Sequence, residues 1–133
     1  MNTKEFVRSV YLGDRACKKV LIDGWNRRCC IQVDSISRLK KGTDTWNYYA
    51  DEDVNDGWLV FTELSSISIS PEGPVPNDSI DIVDVRESGD SYEFDISIGS
   101  GDEKGNITGV LIKLIAKDIS IETNNVFLAS LNN

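Results

Sequence analysis

The stretch from Trp46 to Trp58 concentrates the side-chain types from which binding and catalytic sites are made. Trp46, Tyr48, Tyr49 and Trp58 bracket the carboxylates Asp51, Glu52, Asp53 and Asp56. Three kinds of chemistry are open to it. Calcium binding would use Asp51, Asp53 and Asn55, whose spacing matches the first oxygen ligands of an EF-hand loop. The pattern then breaks, because Asp56 stands where the sharp turn needs glycine and Thr62 where a bidentate glutamate belongs. Glycoside hydrolysis needs two carboxylates facing each other across a cleft, whereas neighbours in one acidic run read as a solvated surface. Recognition of another protein fits better: aromatics act as anchors and carboxylates steer the encounter. The candidate partner-binding residues are therefore Trp46, Tyr48, Tyr49, Asp51, Glu52, Asp53, Asp56 and Trp58. In the competing structural role, Trp46 and Trp58 fold inward and close the sheet.

Elsewhere the chain is poor in catalytic material. It has no histidine, so neither a Ser-His-Asp nor a Cys-His arrangement can form. Cys17, Cys29 and Cys30 lack an imidazole to activate them and are too few for a metal site. On a strand, adjacent Cys29 and Cys30 point to opposite faces, which puts one thiol in the core and leaves the other partly exposed. Gly99-Ser100-Gly101 leads toward a hairpin loop, not a helix, so no phosphate-binding loop is built there. Trp25-Asn26-Arg27-Arg28, the one local cluster of positive charge beside an aromatic, reads as a solvated hairpin tip. No catalytic residue, cofactor or metal is expected.

The positioning elements follow from periodicity. Asn2 precedes Glu5 by three residues, as in a capping box, and Phe6 and Val10 share a helical face, so a short N-terminal helix is expected, closed by Gly13. From Cys17 onward the period becomes two. Strands are expected at Lys18 to Ile22, Arg28 to Ile36, Trp58 to Leu64, Ser66 to Ser70, Ile80 to Val85, Tyr92 to Ile98, Gly109 to Ala116 and Ile119 to Glu122. Asp23-Gly24, Ser88-Gly89-Asp90 and Asp102 to Asn106 supply turns, the last closing a hairpin. Lys40 to Gly57 and Pro71 to Ser79 are the long irregular stretches. Near the end, Asn124 to Asn133 reads either as a short helix capped by Asn125 and carrying Phe127, Leu128 and Leu131, or as a frayed end.

With 133 residues the chain is expected to form one domain, spanning 1–133. Asp and Glu outnumber Lys and Arg by 22 to 14, a net charge of -8. That field repels nucleic acid and anionic membranes, attracts basic protein surfaces, and also serves plain solubility. No apolar run approaches the ~20 residues of a membrane helix, and the first residues lack the apolar core of a signal peptide, so a cytoplasmic location is expected.

Tyr11 to Cys17, Ile22 to Asn26, Ile31 to Asp34 and Trp46 to Tyr49 with Asp51 to Asp53 together resemble a little-studied family of small acidic bacterial proteins of unknown function. Such proteins are similar in size and charge to immunity proteins encoded beside toxins. The resemblance implies a bacterial origin and offers a basic toxin as partner; it supplies no catalytic residue. The expected fold is α+β with β dominant, an N-terminal helix packed on an antiparallel sandwich or partial barrel of seven to nine strands. The expected function is non-enzymatic protein binding, with a small-ligand or carbohydrate module built on Trp25, Trp46, Tyr48 and Trp58 as the alternative.

Overall fold

Alternating apolar residues make strands that must hide one face, and two sheets satisfy each other by packing those faces together. The computed structural model, which describes residues 2–38 and 53–131, shows this arrangement. Along the chain run α1 (Thr3–Ser9), β1 (Val10–Tyr11), β2 (Cys17–Asp23), β3 (Arg28–Arg38), β4 (Val54–Thr62) and β5 (Ser66–Ser70). Then follow β6 (Ile80–Ser88), β7 (Ser91–Gly101), β8 (Ile107–Ala116), β9 (Asp118–Glu122) and α2 (Asn124–Ser130). The fold is thus β-dominant with a helix at either end. One sheet has the order β1-β3-β4-β9, with β2 pairing beside β1 along the same edge of β3; it curls as a half-barrel. The other has the order β5-β8-β7-β6, and every strand pairing is antiparallel.

The core lies between the sheets. Cys29, Ile31, Val33, Leu59, Phe61 and Ile119 from the curled sheet meet Phe94, Ile96, Ile98, Ile112 and Leu114 from the flatter one. Phe61 and Phe94 interlock edge to face with ring centres 5.0 Å apart, a favoured aromatic geometry. The helix α1 packs Phe6 and Val7 against this core. Its N-cap is Asn2, whose side chain accepts from the Glu5 amide at 2.9 Å. The helix does not run on to Gly13. Val10 and Tyr11 leave it to pair with Arg38 and Ser37, and the left-handed residue of the following turn is Asp14.

A second, smaller core lies on the outer face of the curled sheet. Cys30, Trp58 and Val60 point outward there, and α2 lays Phe127 over them, its ring stacked on Trp58 at 3.8 Å. Arg28 closes the far side, its guanidinium 5.3 Å from the Phe127 ring centre and 3.1 Å from Ser130 Oγ. This cover corrects the expectation of one exposed thiol: Cys17, Cys29 and Cys30 are all buried. Burial also pushes the thiols up, to about 11, 12 and 11 respectively. The α2 cap is Thr123, not Asn125, because the β4 to β9 ladder ends at Glu122 and the chain turns immediately afterwards.

Phe127 holds this outer core closed, so Phe127→Ala should cost ~3–5 kcal/mol in urea unfolding. The same substitution should make Cys30 reactive to a thiol reagent while Cys29 stays inert. A variant whose three thiols remain protected would show that α2 is not the cover of this face.

Candidate functional site

Of the sequence candidates, Asp53, Asp56 and Trp58 fall among the described residues; Trp46, Tyr48, Tyr49, Asp51 and Glu52 lie outside them. The three described residues are not gathered into one exposed face. Val54 to Gly57, expected as loop, belongs to β4, with Val54 opposite Ile36 and Gly57 opposite Val33. Strand pairing here tolerates the left-handed Asp56 and needs Gly57, where a side chain would meet Val54 Cγ1 at 2.7 Å. Trp58 is only 3% exposed beneath Phe127, its indole N–H donating to Asn124 Oδ1 at 3.0 Å. Gln32 completes that buried network, donating to Asp56 O at 3.1 Å and to Asn124 Oδ1 at 3.3 Å.

Asp53 and Asp56 are likewise engaged. Asp53 accepts from the fully buried Ser37 hydroxyl at 2.6 Å, and Ser37 in turn accepts from Arg15 Nη2 at 2.9 Å. This chain of bonds ties the end of β3 to the start of β4. Asp56 pairs with Lys18 at 2.6 Å. Asp53 and Asn55, two of the would-be calcium ligands, are committed to a strand and its entry. The Asp53 carboxylate and the backbone pairing of Asn55 with Ser35 hold the hairpin stem together.

The most exposed aromatic among the described residues lies elsewhere. Trp25, 94% exposed, stands at the tip between β2 and β3. A tight turn fixes it. Asp23 accepts from the Asn26 backbone and side-chain amides at 3.1 and 2.9 Å and from Arg28 Nε at 3.1 Å. Those bonds, led by the Asn26 side chain, hold the Asp23 carboxyl below its usual range. Arg27 takes a left-handed conformation, and its carbonyl accepts from the Leu64 amide at 2.8 Å, which anchors the tip to the next turn. At the same end of the sandwich, Lys117 lies 3.4 Å from both Glu63 and Asp90. The signal for Trp25 was present in its position: a tryptophan inside a turn of this tightness cannot reach the core.

The outer face of the flatter sheet is acidic and crosslinked. Arg86 bonds Asp84, Glu93 and Asp95, the last in bidentate fashion at 3.0 and 3.1 Å. At the opposite end from Trp25 a cleft of about 610 Å³ opens between Pro74, Val75 and Asn77 on one side and Ser100, Lys104 and Asn106 on the other. Asn77 builds it, exchanging two hydrogen bonds with the Gly101 backbone at 2.8 and 3.1 Å in place of a strand partner. Across the cleft, Asp102 accepts from the Lys104 and Asn106 amides, which holds its carboxyl low.

The chain belongs to a family described as "Family of unknown function (DUF6258)", whose sequence model matches residues 1–127. No curated protein and no solved structure matches it. Among the described residues no helix is long and apolar enough to cross a membrane.

The Arg86 cluster gives the fold a testable acid limit. Hydrogen bonding from Arg86 holds the Asp95 carboxyl below its usual range, so near the ordinary carboxylate value of ~4 the folded chain binds fewer protons than the unfolded one. Its contribution is complete above that range and fades as pH falls through it. Urea midpoints measured at a series of pH values from about 6 down to about 3 should therefore fall less steeply in Arg86→Gln than in the parent. Identical slopes would place the acid sensitivity in other carboxylates.

Proposed function

We propose that this member of the family is a non-enzymatic protein-binding domain that captures a basic partner around Trp25. The observation that carries the reading is a fully solvated tryptophan on a turn whose backbone and side chains are already fixed by hydrogen bonds. A solvated indole contributes little to folding, yet Trp is the side chain most enriched among residues that dominate binding energy. Fixing the turn beforehand removes ordering entropy from the encounter. At the same end of the sandwich Glu63 and Asp90 flank Lys117, and the chain as a whole carries a net charge of -8, which favours a basic partner and a salt-sensitive association rate.

The non-enzymatic part of the reading is supported by the state of the reactive groups. The thiols are buried and pushed up, and the carboxylates at Asp23, Asp95 and Asp102 are held low, the opposite of what a general acid requires. The likeness to immunity proteins in size and charge makes a basic toxin the partner class to try first. Trp46, Tyr48, Tyr49, Asp51 and Glu52 remain candidates for the same role by residue type.

Affinity capture followed by titration of the identified partner tests this. Trp25→Ala should leave stability within about 0.5 kcal/mol and weaken binding by ~2 kcal/mol or more, with association slowed by added salt. A partner bound equally well by the variant, or an acidic partner, would remove the tip from the account. The cleft at the other end favours a second reading as a small-ligand site, since Val75 stays exposed in its lining. A thermal-shift screen should then find one compound class that stabilises the parent and not Val75→Asp.

A further inference from the structure

Edge strands expose unpaired backbone groups, and proteins usually blunt them with charges, prolines or brevity. Among the described residues the edges follow that rule with one exception. β6 carries Asp81, Asp84, Arg86 and Glu87; β9 carries Asp118 and Glu122; β2 carries Lys18, Lys19 and Asp23; β1 is two residues long. By contrast β5, the terminal strand beyond β8, reads Ser66-Ile67-Ser68-Ile69-Ser70 and has no charge along its five residues. Four of the five are exposed, and Ile69, on the core-facing side opposite Ile112, is 38% exposed.

Two features of this strand name its occupant. The sequence is the same read in either direction, so an antiparallel copy related by a two-fold axis at Ser68 would place Ser68 against Ser68, Ile67 against Ile69 and Ser66 against Ser70. Isologous contacts of this kind require a self-complementary patch. Charge points the same way: two chains of net charge -8 repel over most of their surfaces, and an uncharged strand is where they can approach. We propose that β5 pairs with β5 of a second copy, joining two four-stranded sheets into one continuous sheet across a two-fold axis. The paired Ile67 and Ile69 side chains then extend both cores across the seam. With five residues per side the contact lies at the small end of specific interfaces, so the dimer forms with rising concentration and exchanges. This surface is separate from the Trp25 tip, and neither proposal depends on the other.

The register makes the test specific. In the pairing, position 68 faces itself, whereas position 66 faces 70 and lies ~13 Å along the strand from its own counterpart, too far for a disulfide. The native thiols are buried, so an introduced cysteine is the one accessible. Under mild oxidation Ser68→Cys should form a covalent dimer at least ~tenfold faster than Ser66→Cys, the ratio expected of a ~1.4 kcal/mol preference for the symmetric register. In sedimentation the parent should shift from monomer toward dimer as concentration rises. Ser68→Lys should stay monomeric with an unchanged melting temperature, and mixing it with Ser68→Glu should restore the dimer. A parent that remains monomeric at every concentration, equal crosslinking at both positions, or a Ser68→Lys chain that dimerises normally would each overturn the pairing. So would a dimer whose mixed-charge variants fail to recombine.

Discussion

The fold depends on one constraint: the paired strands β3 and β4 are apolar on both faces. Cys29, Ile31 and Val33 alternate with Cys30 and Gln32, while Leu59 and Phe61 alternate with Trp58 and Val60, and all nine residues are nearly inaccessible. A sheet with such a centre cannot leave either side wet. The flatter sheet covers one side through Phe94, Ile96 and Leu114, and α2 covers the other through Phe127. Beneath α2 the Trp58 indole N–H and the Gln32 side-chain amide both donate to Asn124 Oδ1, which links the buried polar groups of β3 and β4 to the start of the helix. That network fixes where α2 begins, and the contacts of Arg28 with Phe127 and Ser130 fix where it ends.

The same constraint sorts the residues that might bind something. Trp58 belongs to the second core and is withdrawn from the surface. Asp53 and Asp56, which looked like steering charges, hold the stem on which the β3 to β4 connection stands, through Ser37 and Lys18. Among the described residues the exposed aromatic is Trp25, at an end of the sandwich where a turn and not a strand decides what is presented. Trp25 is exposed because Asp23 locks its turn, not because the chain lacks a place to bury it.

Most of the strands were legible because their alternation is strong: Tyr92 to Ile98 and Ser66 to Ser70 lie where the pattern puts them. What the pattern missed shares one cause. Val10 and Tyr11 leave the helix for a strand, Val54 to Gly57 join β4, and Cys30 is covered, each through a partner distant in sequence. Local preference sees Asp-Gly as a turn and a lone cysteine pair as half exposed; it cannot see Ser35 and Val33 waiting across the ladder, or Phe127 arriving almost a hundred residues later. The candidate site was legible only by residue type, since exposure is decided by those same distant contacts. The tip at Trp25 is the counterexample, being set almost wholly by neighbours within the turn.

Charge then explains how these surfaces coexist. A net charge of -8 would press the acidic face of the flatter sheet apart if Arg86 did not gather Asp84, Glu93 and Asp95 around one guanidinium. Hydrogen bonds donated to these carboxylates stabilise the charged form of Arg86 in return, so the cluster is a local neutralisation and not an idle acidic patch. With that face satisfied and β6 guarded by its own charges, the places left for the proposed associations are those where the field is weak or broken. One is the uncharged β5 edge, where the proposed pairing with a second copy would form; the other is the Trp25 tip, where the proposed partner would dock. The acidity matters through the few places it leaves bare.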